Sequence, residues 1–260
     1  MAVSLEEKKV SDQTRGITFW LEATDPSVNY VRAVEEHRTG TGTWFLRGAH
    51  FRKWKAQLKS FLWLHGMSGC GKTTLSAVII GHLLREDSRP TIYFYFDFSN
   101  PKKQHYKDML RSLLLQLYHK SSIARGVVQA CYDSHEKGVR QPALGQLKVT
   151  LNSVLEQLQG VNIILDGLDE AQSPNEMVQW WRSIHSTEAL KVRLLVTSRT
   201  QVVNWSREED IVPLQPQSLN EDIQFYTRLR LYSEEFEHWG SQEMLRDEVE
   251  TTICKKAGGM

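Results

Sequence analysis

Residues Gly66 to Thr74 constrain the possible folds of this chain more than any other stretch. They read Gly-Met-Ser-Gly-Cys-Gly-Lys-Thr-Thr, which fits the pattern of a phosphate-binding loop: two glycines separated by four residues, followed by Lys and Thr. A short apolar segment, Phe61–Leu64, precedes the loop, and apolar residues recur at helical spacing after it. This context predicts a strand, a phosphate-binding turn and a helix, in that order.

The residue types of the loop suit the phosphates of a nucleotide. Glycines let backbone N–H groups approach phosphate oxygens, and the first turn of the next helix adds unpaired N–H groups and the positive end of its dipole. Lys72 would contact the β- and γ-phosphates, and the hydroxyl of Thr73 would bind Mg²⁺. The alternative is a glycine-rich turn with an incidental Lys-Thr pair. The predicted nucleotide-binding residues are Gly66, Met67, Ser68, Gly69, Cys70, Gly71, Lys72, Thr73 and Thr74.

The charge, the cysteine content and the hydropathy of the chain limit the classes of function that it can have. The formal net charge of the 260 residues is +1, so no overall field attracts nucleic acid or an anionic membrane. The three cysteines have neither an even number nor a metal-ligand spacing, which favours a reduced, intracellular protein. The N-terminus lacks the apolar segment of a signal peptide, and no apolar run reaches membrane-spanning length. We therefore expect a cytoplasmic protein with no membrane span and no nucleic-acid partner.

Strand-like and helical patterns alternate along the chain, which predicts an α/β fold with a parallel sheet covered by helices on both faces. The predicted strands after 61–64 are 92–96, 161–165, 192–196 and 211–214, and the pattern after Pro216 is helical. Three consecutive apolar residues, Trp44-Phe45-Leu46, predict an additional short strand.

The segments outside the strands give predictions of helices and of exposed residues. The polar stretch up to about residue 15 predicts a frayed helix or a linker. Val28, Val31 and Val34 recur at intervals of three residues after Pro26, which predicts a helix that residues 39–43 terminate. We expect Lys102, Lys103 and Lys120 to lie on solvated helix faces or at helix ends.

A second set of candidate residues follows the third predicted strand. The segment reads Asp166-Gly167-Leu168-Asp169-Glu170. Ligands of parallel sheets bind at the carboxyl ends of the strands, so Asp166 would lie beside the loop and hold Mg²⁺ through water. Gly167 would leave room for the metal and the phosphates, and Asp169 or Glu170 would orient and deprotonate an attacking water. The competing interpretation is a solvated acidic loop.

The fourth predicted strand ends in Thr197-Ser198-Arg199. Arg199 would contact the γ-phosphate and act with the acids in catalysis, while Ser198 or Thr197 would bond the loop or the catalytic water. A surface arginine at a strand end is the alternative. His65 is interpreted as packed under the loop, and Cys70 as a residue that contributes only its backbone.

Several segments together resemble the NACHT module. They are residues 41–46, Phe51 with Trp54, 61–66, the loop, 96–99, 165–171 and 195–199. The likeness is greatest to the fungal NLR-like proteins of the STAND class of P-loop NTPases, and it runs from about Trp20 to the last residue. NACHT modules differ from relatives with an adjacent Asp-Glu pair by a small residue after the metal-binding Asp and an acid two positions on. Gly167 and Asp169 match that pattern.

The resemblance implies a P-loop NTPase fold of the ASCE type. Its five-stranded parallel sheet would have the order 5-1-4-3-2, flanked by helices and followed by a partial helical lid domain. The implied divisions are an N-terminal linker or helix (1–19), the nucleotide-binding NACHT domain (20–215) and the lid domain (216–260). Since relatives continue into a winged-helix domain that contacts the β-phosphate, a fragment or truncated gene product with altered autoinhibition is expected.

The resemblance also implies a signalling switch of the innate-immunity or heterokaryon-incompatibility type. A diphosphate state would be closed, and a triphosphate would open the protein and let it self-associate through the NACHT module. Hydrolysis would be slow. The cofactors implied are Mg²⁺ with ATP/ADP or GTP/GDP, and the residues do not select the base. Effector domains and repeat sensors of the relatives have no counterpart in these 260 residues.

Three other function classes compete with this hypothesis. A small-molecule kinase would need an Arg-rich lid, and no such Arg cluster is evident. An AAA-type motor would have an adjacent Asp-Glu after the third strand, a polar sensor such as Asn on the fourth and a basic channel, which this sequence lacks. A scaffold that binds nucleotide without hydrolysing it is opposed only weakly by Asp169 and Glu170.

Overall fold

The computed structural model describes residues 2–37, 40–199, 210–214, 216–233 and 243–257. Its sheet has five parallel strands in the order β2-β3-β4-β1-β5. The strands are β1 (Ser60–His65), β2 (Thr91–Tyr95), β3 (Val161–Asp166), β4 (Val192–Ser198) and β5 (Ile211–Pro213). Read from the opposite edge, this is the predicted order 5-1-4-3-2, so the predicted α/β P-loop fold is confirmed.

Helices lie before, between and after these strands. Their bounds are α1 (Ala2–Leu21), α2 (Ser27–Glu36), α3 (Thr43–Arg47), α4 (Ala49–Ala56), α5 (Lys72–Glu86), α6 (Tyr106–Lys120), α7 (Ser122–Ser134), α8 (Leu144–Gln157), α9 (Pro174–Ser186), α10 (Pro216–Leu231) and α11 (Glu243–Ala257). Short 3-10 helices occupy Pro101–Lys103 and Leu168–Glu170. In the part of the chain that the structure describes, no helix has the length and apolar character needed to cross a membrane.

The sheet is buried on both faces, which explains why its strands are continuous apolar runs. All six residues of β3 are buried. Successive residues of a strand point to opposite faces, and accordingly Leu62 and Leu64 belong to one core while Phe61 and Trp63 belong to the other. The register pairs Leu64 with Thr197 and Tyr95 with Asp166, so the carboxyl ends of the central strands form one edge.

The predicted strand at Trp44-Phe45-Leu46 is wrong, because these residues form the helix α3. Gly42 precedes this helix in the left-handed conformation, with φ of 74°. Phe45 is buried against Phe51 of α4, with ring centroids 5.9 Å apart. Three apolar residues are too few to show a period, and here a tertiary contact of one aromatic ring decides the conformation.

Helix α2 is confirmed, but the valines whose spacing predicts it do not enter the core. Val28, Val31 and Val34 are 64%, 49% and 45% exposed, and the buried residue of the helix is Ala33. The helix lies against α5 through another face: a Cβ on Gly81 would lie 3.3 Å from the hydroxyl of Tyr30. Thr39, the first residue of the predicted helix break, lies outside the described residues.

One lysine differs from the simplest interpretation, and the N-terminal helix extends beyond the polar stretch up to about residue 15. Helix α1 continues to Leu21 and buries Ile17, Trp20 and Leu21 in the main core. Lys103, expected on a solvated surface, is only 4% exposed. The sequence around it is polar, and its Nζ donates to Asn29 of α2, a partner distant in sequence that no local pattern predicts.

Candidate functional site

The loop between β1 and α5 has the geometry that its sequence predicts. Gly71 has φ of 80°, a left-handed conformation that favours glycine, and its carbonyl accepts the first helical hydrogen bond from the N–H of Leu75 at 2.8 Å. At Gly66 a side chain would have no room, because a Cβ there would lie 2.8 Å from Sγ of Cys70 and 3.0 Å from the carbonyl oxygen of Leu214. The chain therefore turns tightly from the strand into the N-terminus of a helix.

Lys72 is held at the loop rather than extended into solvent. Its Nζ donates to the carbonyl oxygens of Gly66 and Met67, each at 2.7 Å, and lies 3.6 Å from Sγ of Cys70. His65 lies at the base of the loop, where burial first and the charge of Lys72 second lower its pKa. This agrees with a packed histidine. The thiol of Cys70 contacts Lys72, so Cys70 contributes more than its backbone to this conformation of the loop.

Asp166 lies at the end of β3 and is surrounded by hydroxyl groups. It is 5% exposed. Its Oδ2 accepts from the hydroxyl of Thr73 at 2.8 Å, and its Oδ1 accepts from Ser76 and Thr197, each at 2.7 Å. A buried carboxylate is costly unless such bonds or a cation compensate its charge. The structure thus brings Thr73 and Asp166 together as predicted, and it adds Ser76 and Thr197.

These groups fit a magnesium ion that takes few protein ligands. The oxygen atoms of Thr73 and Asp166 are hard donors of the kind that Mg²⁺ prefers, and such ions usually retain several waters beside the phosphates of a nucleotide. Within the described ranges, no cluster of three or more His, Cys, Asp or Glu side chains could hold a metal alone. The hydroxyl of Thr73 and the carboxylate of Asp166 suit Mg²⁺ that is bound together with a nucleotide. Bound there, the ion would neutralise phosphate charge.

Gly167 connects this metal-binding group to the acids that follow. It has φ of 74°, and a Cβ would lie 3.2 Å from the carbonyl oxygen of Phe96. Its N–H donates to the hydroxyl of Thr197 at 3.0 Å, and that hydroxyl donates onward to Asp166. Both the backbone conformation and the contact with Phe96 explain a glycine at this position.

The predicted catalytic residues form a cluster of their own at the surface. The backbone N–H of Arg199 donates to Oδ1 of Asp169 at 2.9 Å, and its Nε donates to Oδ2 at 2.5 Å. A second nitrogen of the guanidinium lies 3.7 Å from Oε1 of Glu170. In this conformation Arg199 is bonded to the acids, so its predicted contact with a γ-phosphate requires the side chain to turn. We call Asp169, Glu170 and Arg199 the acid group, and Gly66–Thr74 with Ser76 and Asp166 the phosphate group.

The two acids have different surroundings. Burial raises the pKa of Glu170, and the N–H of Phe98, which donates to its Oε2 at 3.1 Å, opposes this rise. The hydrogen bond with Asp169 raises the pKa of Arg199. The side chain of Asp169 is 14% exposed and that of Arg199 is 45% exposed, so water can reach this group. A raised pKa suits a general base near neutral pH.

Sequence reasoning missed three contributions to the site. Ser76 follows Thr73 by three residues on α5, and this helical spacing was a signal that could have placed both hydroxyls on one face. Thr197 was expected to bond the loop or a water, but it bonds Asp166 and Gly167 instead. The hydrogen bond from the N–H of Phe98 to Glu170 joins segments distant in sequence, and no local sequence pattern predicts it. The loop contact expected of Ser198 is present, because its carbonyl accepts from the N–H of Gly66 at 3.2 Å.

The strand order, the loop and the Asp166 cluster together define the P-loop NTPase fold. A sequence model of the family described as nephrocystin 3, N-terminal, matches residues 40–199, which include the loop, β1 to β4 and the acid group. The chain therefore belongs to this family. No curated protein matches the chain significantly.

Similar solved structures include two archaeal proteins. One is Cdc6p from Pyrobaculum aerophilum, with 11% identity, a TM-score of 0.47, and coverage of 72% of this chain and 48% of that protein. The other is the Orc1 protein of Aeropyrum pernix in complex with DNA, with 16% identity, a TM-score of 0.36, and coverage of 65% and 44%. This chain thus spans less than half the length of either structure.

Proposed function

We propose that this chain is a nucleotide-binding switch module of the NACHT type, which binds ATP or GTP with Mg²⁺ and hydrolyses it slowly. The observation that carries the proposal is the set of hydroxyls around Asp166. It places a buried carboxylate, the hydroxyl of Thr73 and a lysine-bearing phosphate loop at one edge of the sheet. A structural carboxylate would need no such loop beside it.

The proposed roles follow from these positions. Lys72 would exchange its carbonyl partners for phosphate oxygens, and Thr73 and Asp166 would hold the ion, Asp166 through water. Asp169 or Glu170 would orient the attacking water, and Arg199 would leave Asp169 to contact the γ-phosphate. Turnover would require Arg199 to leave Asp169, a step that nucleotide binding does not need. Gly167 and Asp169, with the intervening Leu168, support the NACHT type within P-loop proteins.

The switch would act by self-association in its triphosphate state, as the NACHT resemblance implies. Helices α10 and α11 would then form the lid that responds to the nucleotide. Arg228 of α10 is bonded to Glu250 of α11 at 2.8 and 2.9 Å, which joins these helices as one unit. A cytoplasmic location is part of the same proposal.

Titration calorimetry with ADP, ATP, GDP and GTP, each with Mg²⁺, tests the proposal first. We expect micromolar binding of one base, and at least a hundredfold loss of affinity in Lys72→Ala, since a desolvated charge-assisted contact to phosphate is worth about 3 kcal/mol. Lys102→Ala, at an exposed lysine, should bind like the wild type. Absence of binding by the wild type would refute the proposal, and phosphate transfer to a small-molecule acceptor would favour the kinase alternative.

A further inference from the structure

The buried lysine of the loop after β2 is the feature that the proposed function leaves unexplained. Lys103 ends a short 3-10 helix, is 4% exposed and donates through Nζ to Oδ1 of Asn29 on α2. Asp97 and Asp25 lie near enough to favour its charged form against the effect of burial. A lysine almost never lies this deep unless a specific partner holds it. Its anchor here is helix α2.

The loop that Lys103 closes is tied together along its whole length. The N–H of Asp97 donates to the carbonyl of Lys103 at 3.2 Å, and the N–H of Lys103 donates to the carbonyl of Asn100 at 2.8 Å. The carboxylate of Asp97 accepts from the N–H and the hydroxyl of Ser99 at 2.9 and 2.5 Å. A displacement of Lys103 therefore moves residues 97–100 with it.

The same loop holds Glu170 of the acid group. The N–H of Phe98 donates to Oε2 of Glu170 at 3.1 Å, and the carbonyl of Phe98 accepts from the side chain of Gln104 at 2.6 Å. Gln104 is in turn bonded to Gln172, beyond Glu170, through its backbone at 3.0 Å and its side chain at 2.9 Å. Phe98 is thus bonded through its N–H to Glu170 and through its carbonyl to Gln104.

We propose that Lys103 is a positioning residue for Glu170: by fastening the loop 97–104 to helix α2, it sets the hydrogen bond from Phe98 that orients the acid. This inference rests on the proposed function, which gives Glu170 its catalytic role. A displacement of helix α2 would then be transmitted to Glu170 through Asn29, Lys103 and Phe98. Movement of helix α2 would thereby alter hydrolysis through Glu170.

The test compares Lys103→Met with Lys102→Met, which removes the neighbouring exposed lysine. The amide resonance of Phe98 is followed by NMR from pH 4 to 8 in the nucleotide-free protein. In the wild type and Lys102→Met we expect it to shift as Glu170 titrates, because a donated N–H senses the charge of its carboxylate. In Lys103→Met the shift should be at least halved. Asn29→Ala removes the acceptor of the Lys103 bond together with the hydrogen bond of Asn29 to Asp97. It should act in the same direction, and it tests the link between α2 and this loop if Lys103→Met does not fold.

Hydrolysis gives a second readout. Loss of the Phe98 bond removes an effect that lowers the pKa of Glu170, so the acid limb of the pH–rate profile should move to higher pH. The charges that face Glu170 are Arg199, Asp169 and Asp97, and they remain in these variants. We expect about a fivefold lower rate, the equivalent of one hydrogen bond, with nucleotide affinity within twofold.

A structural role alone would give a different result. Lys103→Met would then unfold at a lower temperature, while the Phe98 shift stayed equal to that of Lys102→Met, and the inference would be overturned. Should the wild type bind no nucleotide, the proposed function fails by itself. The Phe98 titration still decides whether Lys103 positions Glu170.

Discussion

The phosphate group and the acid group lie at the same edge of the sheet, but their charges are held differently. Asp166 is 5% exposed and accepts hydrogen bonds from three neutral hydroxyls, and among the described residues no cationic side chain is seen bonded to it. Asp169 is bonded to the guanidinium of Arg199, its cationic partner, at a site where that arginine is nearly half exposed. The buried carboxylate of the phosphate group is thus bonded to neutral groups, whereas Asp169 of the acid group is paired with a cation.

This difference separates binding from turnover. Under the proposed function, a metal ion with its nucleotide would displace hydroxyls from Asp166 rather than break an ion pair. In the acid group, Arg199 would have to leave Asp169 to contact the γ-phosphate. The phosphate group would thus serve nucleotide binding and the acid group hydrolysis.

The largest effect should come from removing one acid at a time. Asp169→Asn or Glu170→Gln should lower the rate of hydrolysis about a hundredfold, the lower range for general-base catalysis, while the nucleotide affinity stays within threefold. The variant with the larger loss identifies the base, measured in single-turnover assays. Equal rates in both variants and the wild type would leave the acid group without a catalytic role.

The next effect concerns the metal. Asp166→Asn should reduce the gain in affinity that Mg²⁺ provides by at least tenfold, or about 1.4 kcal/mol, because the amide lacks the charge that attracts the ion. Calorimetry with and without Mg²⁺ measures this. Asp87→Asn is the contrasting control, since Asp87 is paired with Arg193 at 2.7 Å at the opposite edge of the sheet.

That control should lower the free energy of unfolding by about 3 kcal/mol, because the charge of Arg193 would remain buried beside neutral acceptors only, among them the carbonyl of Gln57. Its nucleotide affinity should retain the full dependence on Mg²⁺. If Asp166→Asn also retained that dependence, the metal would not be held at the phosphate group.

A change at Gly167, between the two groups, should affect stability. Gly167→Ala forces φ of 74° on an alanine and brings its Cβ to 3.2 Å from the carbonyl of Phe96, so we expect a loss of about 1–2 kcal/mol in the free energy of unfolding. Gly126→Ala in α7 meets no atom within 4 Å and should stabilise the protein by about 0.5–1 kcal/mol. Urea denaturation of both variants measures the contrast, and equal values would contradict it.

The smallest effect is a pH dependence of stability. Burial lowers the pKa of His65 and of His82 in the folded protein, so the unfolded chain binds protons more readily. Their effect on stability is absent above the ordinary pKa of about 6.5 and becomes destabilising as the pH falls through it. His65→Gln should reduce the loss of stability between pH 7.5 and 5.5, as measured by urea denaturation. An unchanged loss in this variant would show that the surroundings of His65 do not disfavour its charge.

Prediction from sequence succeeded where a motif is contiguous or an apolar run is long. The loop 66–74 and the strand order follow from local pattern and from the NACHT resemblance, and the structure confirms both. Prediction failed for Trp44-Phe45-Leu46 and for Lys103, whose surroundings are supplied by distant segments. The domain boundaries at 19 and 215 and the roles of the site residues remain predictions.

The sequence by itself determined the phosphate loop, because the glycines, Lys72 and Thr73 are consecutive and their geometry follows from local backbone preferences. It also determined that an acid would follow the buried strand β3. Only the tertiary structure decided which polar and charged groups meet: Arg199 with Asp169, Ser76 and Thr197 with Asp166, and Lys103 with Asn29. The reason is physical, since hydrogen bonds and ion pairs depend on distances of a few ångströms. Between side chains from different strands, helices and loops, those distances are fixed only when the sheet and its helices pack.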